Sequence, residues 1–324
     1  MHAFDSSHPR FLQCVAAAVL LLSACQSETD PSKPGYWVEK LDKKPTRTEA
    51  LKELAKMGPA ARSAVPAVSQ WLAEEGDWQA DAAYTLGQIG DAAVVKTLVG
   101  AIDFEVGSGR DRRTRLRNRI NQNVARALAS LKAKEAVPDL VKLLEAPEPN
   151  TRDAVLRSLG TIGDPSAADV MMEIAENDDE PFIRKVAIES LGELGAAKAV
   201  PTLVKMLYSE RGDGVSHYRE ARFALIQHGS AAVPELLKTL QRKNDAIETM
   251  KVGDAPILPG VIEAKAGSAL GALRVNDAEQ PMVSALQGLY TQWQRQKNAA
   301  EPSVLGAVIE LTYALGDLGS PGAM

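Results

Sequence analysis

Six arginines fall within ten residues at Arg110-Asp-Arg-Arg-Thr-Arg-Leu-Arg-Asn-Arg119. A guanidinium presents a planar fork of donors that matches a carboxylate or a phosphate. Arg110, Arg112, Arg113, Arg115, Arg117 and Arg119 therefore form a candidate patch for an anionic partner: acidic protein, lipid headgroups or cell-wall polymer. The competing reading is structural, with the arginines paired to acids on neighbouring segments. Few other residues offer chemistry. Past the N-terminal leader there are two histidines, His217 and His228, on one expected helix. Eleven residues are about three turns, so they share a face about 16 Å apart and cannot chelate one ion. No nucleophile elbow accompanies them, so a Ser–His–Asp triad is not expected. Asp178-Asp179-Glu180 reads as charge at a helix N-terminus. Gly107-Ser108-Gly109 is a flexible loop, and no Walker or dinucleotide sequence occurs. The expectation is no catalytic residue, no cofactor and no metal.

The two cysteines are Cys14 and Cys25. An apolar run from Phe11 to Leu22 is too short to span a bilayer and has the length of a signal-peptide core. It ends in Leu22-Ser23-Ala24-Cys25, which resembles the bacterial lipobox. The resemblance implies cleavage after residue 24, lipid on Cys25 and anchoring to a membrane. Gln26 in place of aspartate implies an exported protein in the outer membrane, facing the periplasm.

These residues must be held by elements, and the composition says which. Aromatic content is 5% while Ala and Leu abound, which favours helices over sheets. Net charge is −5, a poor match to nucleic acid, which is not expected as a partner. Residues 25–46 carry Pro31, Pro34, Gly35 and Pro45 and read as a flexible tether. From Arg47 the chain repeats. Ala82-Ala-Tyr-Thr-Leu-Gly-Gln-Ile-Gly90, Ala154-Val-Leu-Arg-Ser-Leu-Gly-Thr-Ile-Gly163 and Ala187-Ile-Glu-Ser-Leu-Gly-Glu-Leu-Gly195 are one pattern. Its marker leucines are Leu54, Leu86, Leu128, Leu159, Leu191, Leu225, Leu270 and Leu315, at intervals of 32, 42, 31, 32, 34, 45 and 45. Gly58, Gly90, Gly163, Gly195 and Gly229 suit the left-handed position that ends a helix. Val65-Pro66, Val137-Pro138, Val200-Pro201 and Val233-Pro234 suit the first turn of the next helix. A period near 32 built of helix, glycine turn and helix is a helical solenoid. The longer intervals place an insertion at about 105–119 and longer loops at about 241–260 and 296–302.

The pattern resembles the HEAT-repeat superfamily, and most of all the short phycobilisome-lyase-like variety. The resemblance implies an all-α solenoid of about seven to eight helix pairs over residues 47–324. Departures are Lys132 where a glycine is usual and His228 where Ile or Leu is usual. The final Leu315-Gly-Asp-Leu-Gly319 ends a first helix with no second, which points to a truncated chain. Arg47, Arg152 and Arg184 share one phase and, with Asp91 and Asp164, form a candidate ladder between repeats. Trp71, Trp78 and Trp293 are core residues on this reading, or anchors for a partner. Families of this kind mostly bind proteins. The expected function is thus a non-enzymatic, membrane-anchored scaffold in the cell envelope that binds a protein partner. An envelope assembly factor and a bilin-lyase-like enzyme are the alternatives.

Overall fold

In the computed structural model, residues 29–210, 214–296 and 301–319 are described. They form an all-α solenoid. A short helix α1 (Pro34–Leu41) is followed by seven helix pairs and one further helix among the described residues. The first helices of the pairs are α2 (Lys44–Met57), α4 (Gln79–Ile89), α6 (Arg112–Ser130), α8 (Pro149–Ile162), α10 (Pro181–Leu194), α12 (Tyr218–His228) and α15 (Val261–Leu273). The second helices are α3 (Val65–Ala73), α5 (Val95–Gly100), α7 (Val137–Leu143), α9 (Ala168–Asn177), α11 (Val200–Met206), α13 (Val233–Leu240) and α16 (Glu279–Gln296). Between α13 and α15 lie a single turn, α14 (Asp245–Glu248), and a small antiparallel ladder of β1 (Lys251–Val252) with β2 (Ala255–Pro256). The last helix, α17 (Pro302–Asp317), packs on α15 and α16.

Local signals account for these boundaries. Gly90, Gly163 and Gly195 cap α4, α8 and α10 with φ of 76°, 75° and 69°, a region where a Cβ is costly. Lys132 takes the same sign, φ 51°, at the glycine-less turn after α6. The Val-Pro pairs open α3, α7, α11 and α13. The marker leucines Leu54, Leu86, Leu128, Leu159, Leu191, Leu225, Leu270 and Leu315 are all fully buried. Each contributes roughly 1.5–3 kcal/mol by leaving water.

First helices stack directly on one another, while the second helices meet more sparsely. The cause is the residue after each marker leucine. It is small at six junctions: Ala55, Gly87, Ala129, Gly160, Gly192 and Gly271. A Cβ on Gly87 would lie 2.7 Å from Cα of Ala127, and one on Gly160 2.9 Å from the Ser190 carbonyl. On Gly192 and Gly271 it would lie 2.8 and 2.9 Å from Cα of Ala224 and Ala314. These are backbone contacts, so a larger side chain pushes the helices apart. At the seventh junction, between α12 and α15, the residue is Ile226.

Several boundaries differ from expectation. Residues 34–46, read as tether, are largely helical, because Leu41 is fully buried and Arg47 donates to its carbonyl at 2.7 Å. The insertion at 105–119 is half helix: α6 begins at Arg112, and buried Asn118 and Asn121 pin the preceding loop. Asn118 donates to the Gly107 carbonyl at 2.9 Å, and Asn121 bonds both backbone groups of Asp103 at 2.9 and 2.8 Å. The supposed ladder with Asp91 and Asp164 does not form. Those acids cap the turns at Ala93 and Ser166 instead. Arg47, Arg152 and Arg184 each bond the carbonyl six residues back, of Leu41, Ala146 and Asp178. They lock the entry of a first helix to the loop before it. Arg152 also reaches Asp178 of the next unit at 3.2 Å.

Candidate functional site

The arginine cluster divides in two. Arg112 pairs with Asp77, Arg117 pairs with Glu75 at 3.0 Å and Asp103 at 3.2 Å, and Arg119 donates to the Asp77 carbonyl at 3.0 Å. These three bind the insertion to the loop before α4 and to the loop after α5. Arg110, Arg113 and Arg115 are exposed and have no acidic partner among the described residues. Asp111 caps α6 by accepting from the Thr114 N–H at 3.0 Å, and that bond with the Thr114 hydroxyl holds its carboxyl below the usual range.

Other expected residues have structural places. Trp71 and Trp78 meet edge to face and flank the Arg47 guanidinium at 3.5 and 4.3 Å. Trp293 packs against the core near Tyr290. His228 is buried, with its ring nitrogens 2.9 and 3.3 Å from the carbonyls of Ala224 and Ala196. His217 is buried at the N-cap of α12 and makes no capping bond with its side chain. Cys25 and the leader lie outside the described residues, as does part of the 296–302 loop. Among the described residues no cluster of His, Cys, Asp or Glu could hold a metal, and no helix is long and apolar enough to cross a membrane.

The solvent face of the first-helix row carries side chains two places before each marker. They run Lys52, Tyr84, Arg126, Arg157, Glu189, Phe223, Ser268 and Tyr313. Its middle is an ion-pair ladder across α8, α10 and α12: Arg157 with Asp153 and Glu189, and Lys185 with Glu189 and Glu220.

The most site-like geometry lies where the stack is interrupted. The α12–α15 junction carries polar tethers instead of a glycine contact. The Tyr208 hydroxyl donates to the Ile262 carbonyl at 2.9 Å, Lys265 Nζ to the Leu207 carbonyl at 2.7 Å, and Arg222 to the Ser268 carbonyl at 3.1 Å. A cavity of about 370 Å³ opens beside them, between the end of α11, the start of α15 and the β1–β2 ladder. Val252, Pro256 and Leu258 form apolar walls, and Lys265 and Glu210 supply charge. Lys265 Nζ also sits 5.6 and 5.0 Å from the ring centres of Tyr208 and Tyr218, over their electron-rich faces. Burial pulls its pKa below the ordinary lysine value, opposed by the Glu210 carboxylate. Burial pushes the Tyr208 phenol up, so it stays a neutral donor. Sequence reasoning missed this site. The one signal was Ile226 standing where every other junction has Gly or Ala.

Residues 112–192 match the HEAT repeats family, and residues 183–209 match the PBS lyase HEAT-like repeat. Phycocyanobilin lyase subunit alpha of Nostoc sp. (strain PCC 7120) is 28% identical over 140 residues, 39% of this chain and 49% of that protein. The chain thus spans about half the length of this curated relative. Among solved structures, the complex of CpcE and CpcF of phycocyanin lyase from Nostoc sp. PCC7120 aligns over 78% of this chain and 94% of that one. Identity there is 21% and the TM-score 0.41. Human deoxyhypusine hydroxylase in complex with glycerol aligns over 95% and 99%, at 19% identity and a TM-score of 0.31.

The likeness to a lyase subunit corrects the expectation of a non-enzymatic, protein-binding scaffold. That expectation rested on the absence of a familiar catalytic motif and on the leader, neither of which bears on what a repeat surface holds. Residues 112–209 of this solenoid are HEAT repeats, the last of them of the PBS lyase HEAT-like kind.

Proposed function

We propose that this chain is a bilin-lyase-like subunit, which holds an open-chain tetrapyrrole while its bond to a protein is made or broken. The observation that carries this is the 28% identity to phycocyanobilin lyase subunit alpha, together with the PBS lyase HEAT-like match at 183–209. The geometry supports a holding role. The first-helix row exposes aromatic side chains at Tyr84, Phe223 and Tyr313, and bilin rings stack on such groups. On this reading the chain's contribution is to bind and orient the bilin. Orientation alone can supply a large part of a rate enhancement.

Titrating the purified chain with phycocyanobilin tests the reading. The expected result is a saturable change in bilin absorbance and fluorescence at micromolar concentrations, about one bilin per chain. A bilin spectrum unchanged at about 100 µM protein would falsify it.

A further inference from the structure

The cavity between the end of α11, the start of α15 and the β1–β2 ladder has a use that the rest of the solenoid does not require. At the other six junctions, small residues bring the first helices together directly. Here Ile226 stands in that place, and α15 is held by side chains that bond main-chain carbonyls, Arg222 reaching it from α12 while Tyr208 and Lys265 join it to the end of α11. A gap needed only for stability could be filled by apolar side chains. This one contains a half-buried ammonium with one protein carbonyl at 2.7 Å, leaving two of its three N–H donors for other acceptors. A carboxylate, Glu210, lines the same space, and apolar groups of Val252, Pro256, Ile257 and Leu258 form the outer wall. Leu258 is 56% exposed and extends the apolar wall to the rim of the cavity.

We infer that this cavity is the subsite for the propionate-bearing part of the bilin. A linear tetrapyrrole carries two propionate carboxylates, ring N–H donors and flat apolar rings. Lys265 pairs with a propionate, and Glu210 accepts from ring N–H groups. Val252, Pro256 and Leu258 cover a ring face. The Tyr208 and Tyr218 rings and the Leu207 carbonyl hold the Lys265 ammonium in place before the ligand arrives. At about 370 Å³ the cavity is at the small end of ligand sites, which run roughly 300–1,000 Å³, so it takes part of the four-ring chain and leaves the rest on the open face.

The assignment rests on the lyase-like reading, and one experiment separates the two. Phycocyanobilin and its dimethyl ester, in which both propionates are blocked, are titrated into wild-type chain, Lys265→Met, Lys265→Arg and Leu258→Asp. The wild type is expected to bind the free acid about tenfold more tightly than the ester, the scale of a charge-assisted hydrogen bond. Lys265→Met removes that preference, Lys265→Arg keeps most of it, and Leu258→Asp weakens both ligands. Equal binding of acid and ester by the wild type overturns the subsite and leaves the lyase-like reading standing. So does a preference that persists in Lys265→Met. Failure of the wild type to bind either ligand overturns both. Circular dichroism checks that the variants fold, and if Lys265→Met does not, the acid-to-ester ratio of the wild type decides.

Discussion

At the scale of single residues, the chain spends its charged side chains on its own backbone. Arg184 is 2% exposed and donates to the Asp178 carbonyl at 2.9 Å, and Arg47 lies between two indoles while bonding Leu41. Neither role is visible in a sequence, because the carbonyl six places back looks like any other residue. Lys265 is different, since burial lowers its pKa rather than securing its charge. Between that lowered value and the ordinary 10.5, the unfolded chain binds more protons than the folded one. Folding stability is therefore expected to rise with pH across that window. Lys265→Met removes the rise, as urea unfolding at about pH 8 and about pH 10 will show.

At the scale of elements, the repeat was largely legible. Leucine spacing, glycine caps and Val-Pro starts gave the helices and their order, because each signal is local to one turn of chain. What escaped was set by contacts distant in sequence. Pro34 and Pro45 read as breakers, yet both lie in the first turns of helices, where a missing N–H costs nothing. The Arg-rich segment read as one patch, although Asp77, Glu75 and Asp103 claim half of it. The junction glycines carry a direct test. Gly192→Val places a side chain against the Ala224 backbone, so α10 and α12 must separate. A loss of about 1–3 kcal/mol is expected from overpacking, read as a lower urea midpoint at unchanged slope. Gly100→Ala, at a glycine with no neighbour within 4 Å, is the control and should move it little.

At the scale of the whole molecule, the candidate site could not be read from one sequence. Its parts come from three places in the chain: Tyr208 and Glu210, the 252–258 segment, and Lys265. Only the wrapped solenoid brings them together. The exposed arginines, by contrast, sit within six consecutive residues and lie far along the chain from that cavity. A bilin is delivered to or taken from a protein, and Arg110, Arg113 and Arg115 are proposed as the contact for an acidic acceptor surface. Replacing all three with glutamate is expected to weaken acceptor association about tenfold or more at low salt, while bilin affinity is unchanged. Binding assays at two ionic strengths will decide, and an unaltered acceptor affinity removes the patch from the mechanism.

The uneven spacing of the two helix rows also sets how this molecule deforms. The first helices touch backbone to backbone through Gly87, Gly160, Gly192 and Gly271, so that row resists both compression and extension. The second helices contact one another more sparsely, so they are expected to fan open or closed at less cost. The solenoid therefore bends like a strip bonded along one edge, with the glycine row as its neutral line. The α12–α15 junction, where Ile226 interrupts the bonding, is the natural crease. The Lys265 cavity lies beside that crease, between the end of α11 and the start of α15, so its width is expected to follow any bend there.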